Sequence, residues 1–109
     1  MPYIKKENRK NLDAQIDALA EAIVGEAKQE NYDAAFAGLL NYSVTRLALK
    51  IIKLQFGKVR YWIVATMTGT FKNIADEFYR RLAAPYEDKQ IKTNGDVDLY
   101  EEMIDEMKK

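Results

Sequence analysis

The densest run of chemically able side chains lies between residues 76 and 89: Asp76, Glu77, Tyr79, Arg80, Arg81, Tyr86, Glu87, Asp88 and Lys89. Two adjacent guanidinium groups can fork onto a phosphate or carboxylate, and phenol rings can lie against a flat ligand. Tyr79, Arg80, Arg81, Tyr86 and Lys89 are therefore the candidate ligand-binding residues. With Ile74 at zero on a helical wheel, Arg81 falls at about −20°, inside the apolar face of Phe78 and Leu82. A guanidinium placed there needs a partner, because burying an unpaired charge is costly. Glu77, one turn earlier in the acid-before-base order, is the expected one. Arg80 is expected near Asp76 and Glu87, and Tyr79 and Tyr86 on a shared edge with Lys72. The plainer reading is a set of surface ion pairs, each worth little, with the tyrosines closing the rim of a core.

The same acids raise the question of a metal. Mg²⁺ needs carboxylates converging on one point, commonly from two helices. Asp76 and Glu77 are neighbours, as are Glu87 and Asp88, and neighbouring helical residues point about 100° apart. Convergence would require Asp13 or Asp17 from another helix, so no metal ligands are assigned. The chain has no Cys and no His. Cysteine nucleophiles, thiolate sites, the usual neutral-pH base and nearly every zinc site are thereby excluded. Ser43 and Thr45 have no base to activate them and read as helix packing. Carboxylate, Lys or Tyr chemistry and oxygen-ligated divalent ions remain, so no catalytic residue and no cofactor is assigned, and enzymatic activity is the less favoured reading.

The elements that would position this patch are helical. Leu12, Ile16, Leu19 and Ile23 recur at helical spacing and predict a first helix over 12–28, with Asn11 or Asp13 as its cap. Phe36, Leu40, Val44, Leu47, Ile51 and Leu54 form the seam of a second helix over 34–56, capped by Asn31 or Asp33 and stopped at Gly57. Arg46, Lys50 and Lys53 keep helical spacing through its β-rich end. Tyr61-Trp62-Ile63-Val64 with Thr66, Thr68 and Thr70 would suit a strand. Ile63, Met67, Phe71, Ile74, Phe78 and Leu82 nevertheless fall on one face, so residues 60–92 read as one long helix, kinked or interrupted by Pro85. Thr93-Asn94-Gly95 ends it. Asp98 and Glu101 resemble a capping box for a short last helix carrying Leu99, Met103 and Met107. The expected fold is all-α: three main helices plus a short C-terminal one, in a small bundle.

At 109 residues the chain fits one domain, read as an N-terminal arm over 1–10, a helical body and an acidic C-terminal helix over 96–109. Its 17 basic and 17 acidic residues cancel, which disfavours general nucleic-acid binding through phosphate neutralisation. The acids of 96–109 read as a solvated face. No apolar run approaches the ~20 residues of a membrane span, and the start lacks a signal-peptide core, so a cytoplasmic location is expected. Trp62 and Tyr61 suit a core or a subunit interface. A short chain with this much apolar surface to cover is expected to form a homo-oligomer.

Two blocks, Leu40-Asn41-Tyr42-Ser43-Val44-Thr45-Arg46-Leu47 and Glu77-Phe78-Tyr79-Arg80-Arg81-Leu82-Ala83-Ala84-Pro85-Tyr86-Glu87-Asp88-Lys89, carry a family resemblance. The second continues through Ile91, Asn94, Gly95, Asp96 and Val97, and the opening Met1-Pro2-Tyr3-Ile4-Lys5 is similar too. Together they resemble a family of short uncharacterised proteins of bacteria, archaea and bacteriophages, filed as a domain of unknown function. Residues 50–72 are less like that family. The resemblance implies no activity and transfers no catalytic residue.

The leading expectation is a non-enzymatic binding protein of phage or mobile-element type. It would sequester a small anionic, nucleotide-like ligand, for instance an immune messenger of the host, in whose cytoplasm it would act. Arg80 and Arg81 would hold phosphate, Tyr79 and Tyr86 would stack on the base, and Lys89 would add charge. One rival is an interaction or structural accessory protein with no small ligand. Another is a carboxylate- and Mg²⁺-dependent enzyme acting on nucleotides.

Overall fold

A computed structural model describes residues 2–109, and every regular element among them is helical. The elements are α1 (Lys6–Gln29), α2 (Ala35–Phe56), α3 (Tyr61–Phe78), a π-helical turn (Tyr79–Ala83), α4 (Ala84–Asn94) and α5 (Asp98–Met107). Packing divides the chain into two units, Met1–Thr70 and Phe71–Lys109, with the boundary inside α3. No helix among the described residues is long and apolar enough to cross a membrane.

In the first unit, α1 starts six residues before Leu12 and takes in half of the expected N-terminal arm. Lys6 to Lys10 are mostly good helix formers with no breaker among them, so the helix propagates upstream. Its N-cap is Lys5, which makes no side-chain capping bond, so neither Asn11 nor Asp13 caps the helix. The Arg9 Nε–H instead donates to the Ile4 carbonyl at 2.8 Å and ties down the entering chain. Ala34 likewise precedes α2 without a side-chain cap, in place of Asn31 or Asp33. Gly57 ends α2 as expected, at φ 77°, where its amide donates to the Lys53 carbonyl. A side chain at that φ would clash with its own backbone, which is why glycine suits the stop.

The segment that also suited a strand is helical from Tyr61. Its threonines are accommodated by back-bonding: the hydroxyls of Thr66 and Thr70 each donate to the carbonyl four residues earlier at 2.8 Å. At the α2–α3 corner Phe56 meets Trp62 edge to face, with ring centroids 5.4 Å apart.

The seam expected on α2 does not form the core. Ala35, Ala48 and Ile52 of α2 and Ile63 of α3 are the buried residues, with Leu39, Val44, Phe56 and Met67 partly covered. Phe36, Leu40, Leu47, Ile51 and Leu54 stay exposed. Small side chains at 35 and 48 leave room for close approach to α2 there. Buried Ala48 sits beside the partly covered Val44, and the exposed leucines lie further round the helix.

In the second unit, no residue of the π turn, α4 or α5 is fully buried. The expected interruption at Pro85 takes the form of a π-helical turn, Tyr79–Ala83, between α3 and α4, so helical residues continue from Tyr61 to Asn94. The chain widens one turn ahead of the proline: the Ala84 amide donates to the Tyr79 carbonyl five residues back. Pro85 has no N–H and its ring crowds the carbonyl four residues earlier, so a wider turn relieves both difficulties. Gly95, at φ 86°, ends α4 with its amide 2.8 Å from the Ile91 carbonyl. The capping box expected for α5 is not made. Val97 takes the cap position, and Asp98 instead accepts from the neighbouring Leu99 amide at 2.9 Å.

Candidate functional site

Tyr79, Arg80 and Arg81 sit in the π turn, and Tyr86 and Lys89 follow on α4. All five are exposed. The Tyr79 hydroxyl donates to Glu87 Oε1. In an uninterrupted α-helix, eight residues leave two side chains about 80° apart. The π turn accommodates one extra residue and brings position 87 under position 79. It also rotates Tyr86 by roughly one residue's turn away from the edge it was expected to share with Tyr79. On the edge below Tyr79 the carboxylate of Glu87 stands where Tyr86 was expected.

The arginines are also paired differently from expectation. Glu77 binds Arg80, three residues on, with Oε1 2.5 Å from a terminal guanidinium nitrogen. Positions three and four residues ahead are both neighbours on a helix surface, and the nearer one takes the carboxylate. The Arg80 side chain is largely exposed and the Glu77 side chain mostly covered. Solvent screening makes such a pair a weak contributor to stability. Arg81 makes no hydrogen bond or ion pair among the described residues. It escapes the cost of burial because the apolar face around it is itself open: Phe78 and Leu82 are both exposed.

The Tyr79 phenol is held above its ordinary value of 10.0. The largest cause is its hydrogen bond to Glu87, which a phenolate could not donate. Partial loss of water and the negative charges of Glu87 and Asp88 act in the same direction. Glu87 is engaged with the phenol and Glu77 with Arg80, and no three acidic residues converge as a metal site among the described residues.

A second polar surface lies on α2. Tyr42, Thr45, Arg46, Leu49, Lys50 and Lys53 line an open groove of about 360 Å³. Its three cations recur at spacings of four and three, so the helical period in the sequence already places them together. Another depression of about 480 Å³ lies at the α1–α2 connection, against Lys28, Glu30, Asn31, Tyr32 and Asp33. Neither includes a residue of the 77–89 segment.

Among known proteins, the family model described as "Domain of unknown function (DUF6899)" matches residues 1–97. It spans both blocks singled out in the sequence and ends just before α5. No curated protein matches the chain, and no solved structure does.

Proposed function

Because the chain belongs to this family of unknown function, we propose its role from its own residues: a non-enzymatic helical protein that acts by docking onto a protein partner. The supporting observation is the exposure of its large apolar stripes. Leu12, Ile16 and Leu19 of α1, Phe36, Leu40, Leu47, Ile51 and Leu54 of α2, and Leu99, Met103 and Met107 of α5 are all exposed. Exposed apolar stripes of this kind mark interaction sites. The π turn and its two side-chain bonds, Tyr79 to Glu87 and Arg80 to Glu77, then serve to shape one helix rather than to grip a ligand.

Sedimentation velocity over a concentration series, together with binding of a dye specific for apolar surface, tests this role. An assembled species, or a monomer that binds dye strongly, is the expected result. A monomer that binds no dye would refute it, since the stripes would then be closed within the chain.

A second reading rests on Arg81, a cation with no protein partner among the described residues, beside Arg80 on a π turn. Turns of this kind recur at functional sites. On this reading a phage or mobile-element protein would sequester a small phosphate-bearing, nucleotide-like ligand at Tyr79, Arg80, Arg81, Tyr86 and Lys89. A true ligand stabilises the fold by mass action, so melting temperature should rise across a panel of linear and cyclic nucleotides. The rise should vanish in Arg81→Ala. Unchanged melting at saturating concentrations removes this reading and leaves the first intact.

A further inference from the structure

The exposed stripe of α2 has a period that specifies its occupant. Ala37, Leu40, Val44, Leu47, Ile51 and Leu54 are spaced three, four, three, four and three residues apart. That is the 3.5-residue repeat of a helix pair wound about each other, with Ala37, Val44 and Ile51 at a and the three leucines at d. β-branched residues at a with leucine at d favour two parallel strands. None of the six positions is charged. At the flanking e and g positions, Phe36, Asn41, Ser43, Ala48, Lys50 and Gln55 include a single charge, so like charges do not oppose one another across a symmetric pair. α1 carries a shorter version at Leu12, Ile16, Leu19 and Ile23, but Arg9 and Glu26 interrupt it at the next positions on either side. α2 therefore holds the uninterrupted seam, and its four largest members stay outside the chain's own core.

We infer that the α2 seam pairs with the same seam of a second copy, parallel and in register, as a two-stranded coiled coil over residues 37–54. This rests on the docking role proposed above and names the partner. The Gly57 stop lies just beyond Leu54, so the seam ends where the helix ends. Of the cationic groove's residues, Arg46 and Lys53 lie toward the opposite side of α2 by the 100° step of the helix, and Lys50 stands at the seam's flank.

The chain has no cysteine, so a single introduced thiol reports on contact without interference. Leu40→Cys and Leu54→Cys each place a thiol at d, and Lys53→Cys places one at an outward position. A disulfide requires Cα atoms within about 7 Å, which in a parallel in-register pair is met by each d position with its own copy. Mild oxidation should convert Leu40→Cys and Leu54→Cys separately into covalent dimers, at least tenfold faster than Lys53→Cys. Cross-linking of Leu40→Cys only with Ile51→Cys, and of neither d-position variant with itself, would mean an antiparallel pair and overturn the proposal. So would the absence of cross-linking while sedimentation shows an assembly, an outcome that leaves the docking role standing. A monomer that binds apolar dye strongly overturns the pairing alone, whereas a monomer that binds none overturns both.

Discussion

Leu47 and Leu49 are the same residue type on the same helix, 51% and 59% exposed, yet only Leu47 lies on the seam. Their replacement by alanine should have unequal consequences. Complete burial of a leucine side chain contributes about 1.5–3 kcal/mol. Roughly half of that is still unrealised in the single chain, or about 0.8–1.5 kcal/mol per copy. Two copies bury it together, so Leu47→Ala should weaken pairing by about 1.5–3 kcal/mol, a rise in Kd of roughly 10- to 150-fold. Leu49→Ala removes a side chain that faces away from the partner and should leave Kd within about threefold, since surface changes of this kind usually stay within ~0.5 kcal/mol. Sedimentation equilibrium measures both constants, and far-ultraviolet circular dichroism checks that the helices persist. Equal effects of the two substitutions, or an unchanged Kd for Leu47→Ala with helicity intact, would refute the reasoning. The half of Leu47 that the chain leaves in water would then remain in water.

Three further outcomes follow from the local geometry. Ile63 is 3% exposed, the most completely buried of the core side chains, so Ile63→Ala should lower chain stability by about 2–5 kcal/mol in denaturant unfolding. Gly57→Ala puts a Cβ at φ 77°, where nothing lies within 4 Å of it. The expected loss of about 1–2 kcal/mol in thermal unfolding is thus a backbone cost with no steric clash added. Tyr79 should ionise above 10.0, and Glu87→Gln should return it toward that value. Its folded pKa exceeds the unfolded one, so the stabilisation by this contact is complete below about pH 10 and is lost as pH rises through the folded value. Tyrosinate absorbance, taken as the difference from Tyr79→Phe to isolate one of seven tyrosines, measures the shift.

Periodicity located the helices well and their neighbours poorly. The Ile63-to-Leu82 stripe identified a helix through residues that also suit a strand, because threonine hydroxyls can satisfy themselves on the preceding turn. Gly57 and Gly95 identified two ends, because only glycine enters their conformation without strain. The caps were misassigned. Asn, Asp and Ser side chains can cap a start, but nothing local says that the helix begins there when good formers such as those of 6–10 continue upstream. In the 77–89 segment, residue types and their grouping were plain from the sequence. Their pairing was not, since one extra residue in the Tyr79–Ala83 turn changes which side chains share an edge.

Composition alone removed thiol and imidazole chemistry, and hydrophobic spacing alone made the chain helical, because both depend on residue type and order along one strand of backbone. Which stripe lies inside was decided only in three dimensions. The amphipathic pattern of α2 is equally consistent with a core against α1 and α3 or with a face left for another molecule. In the folded chain Ala35, Ala48 and Ile52 are the residues of α2 turned inside, and the leucines at 40, 47 and 54 are left outside. The wide turn before Pro85 was likewise not legible in the sequence, since a missing donor permits several remedies and only the structure shows which one is taken.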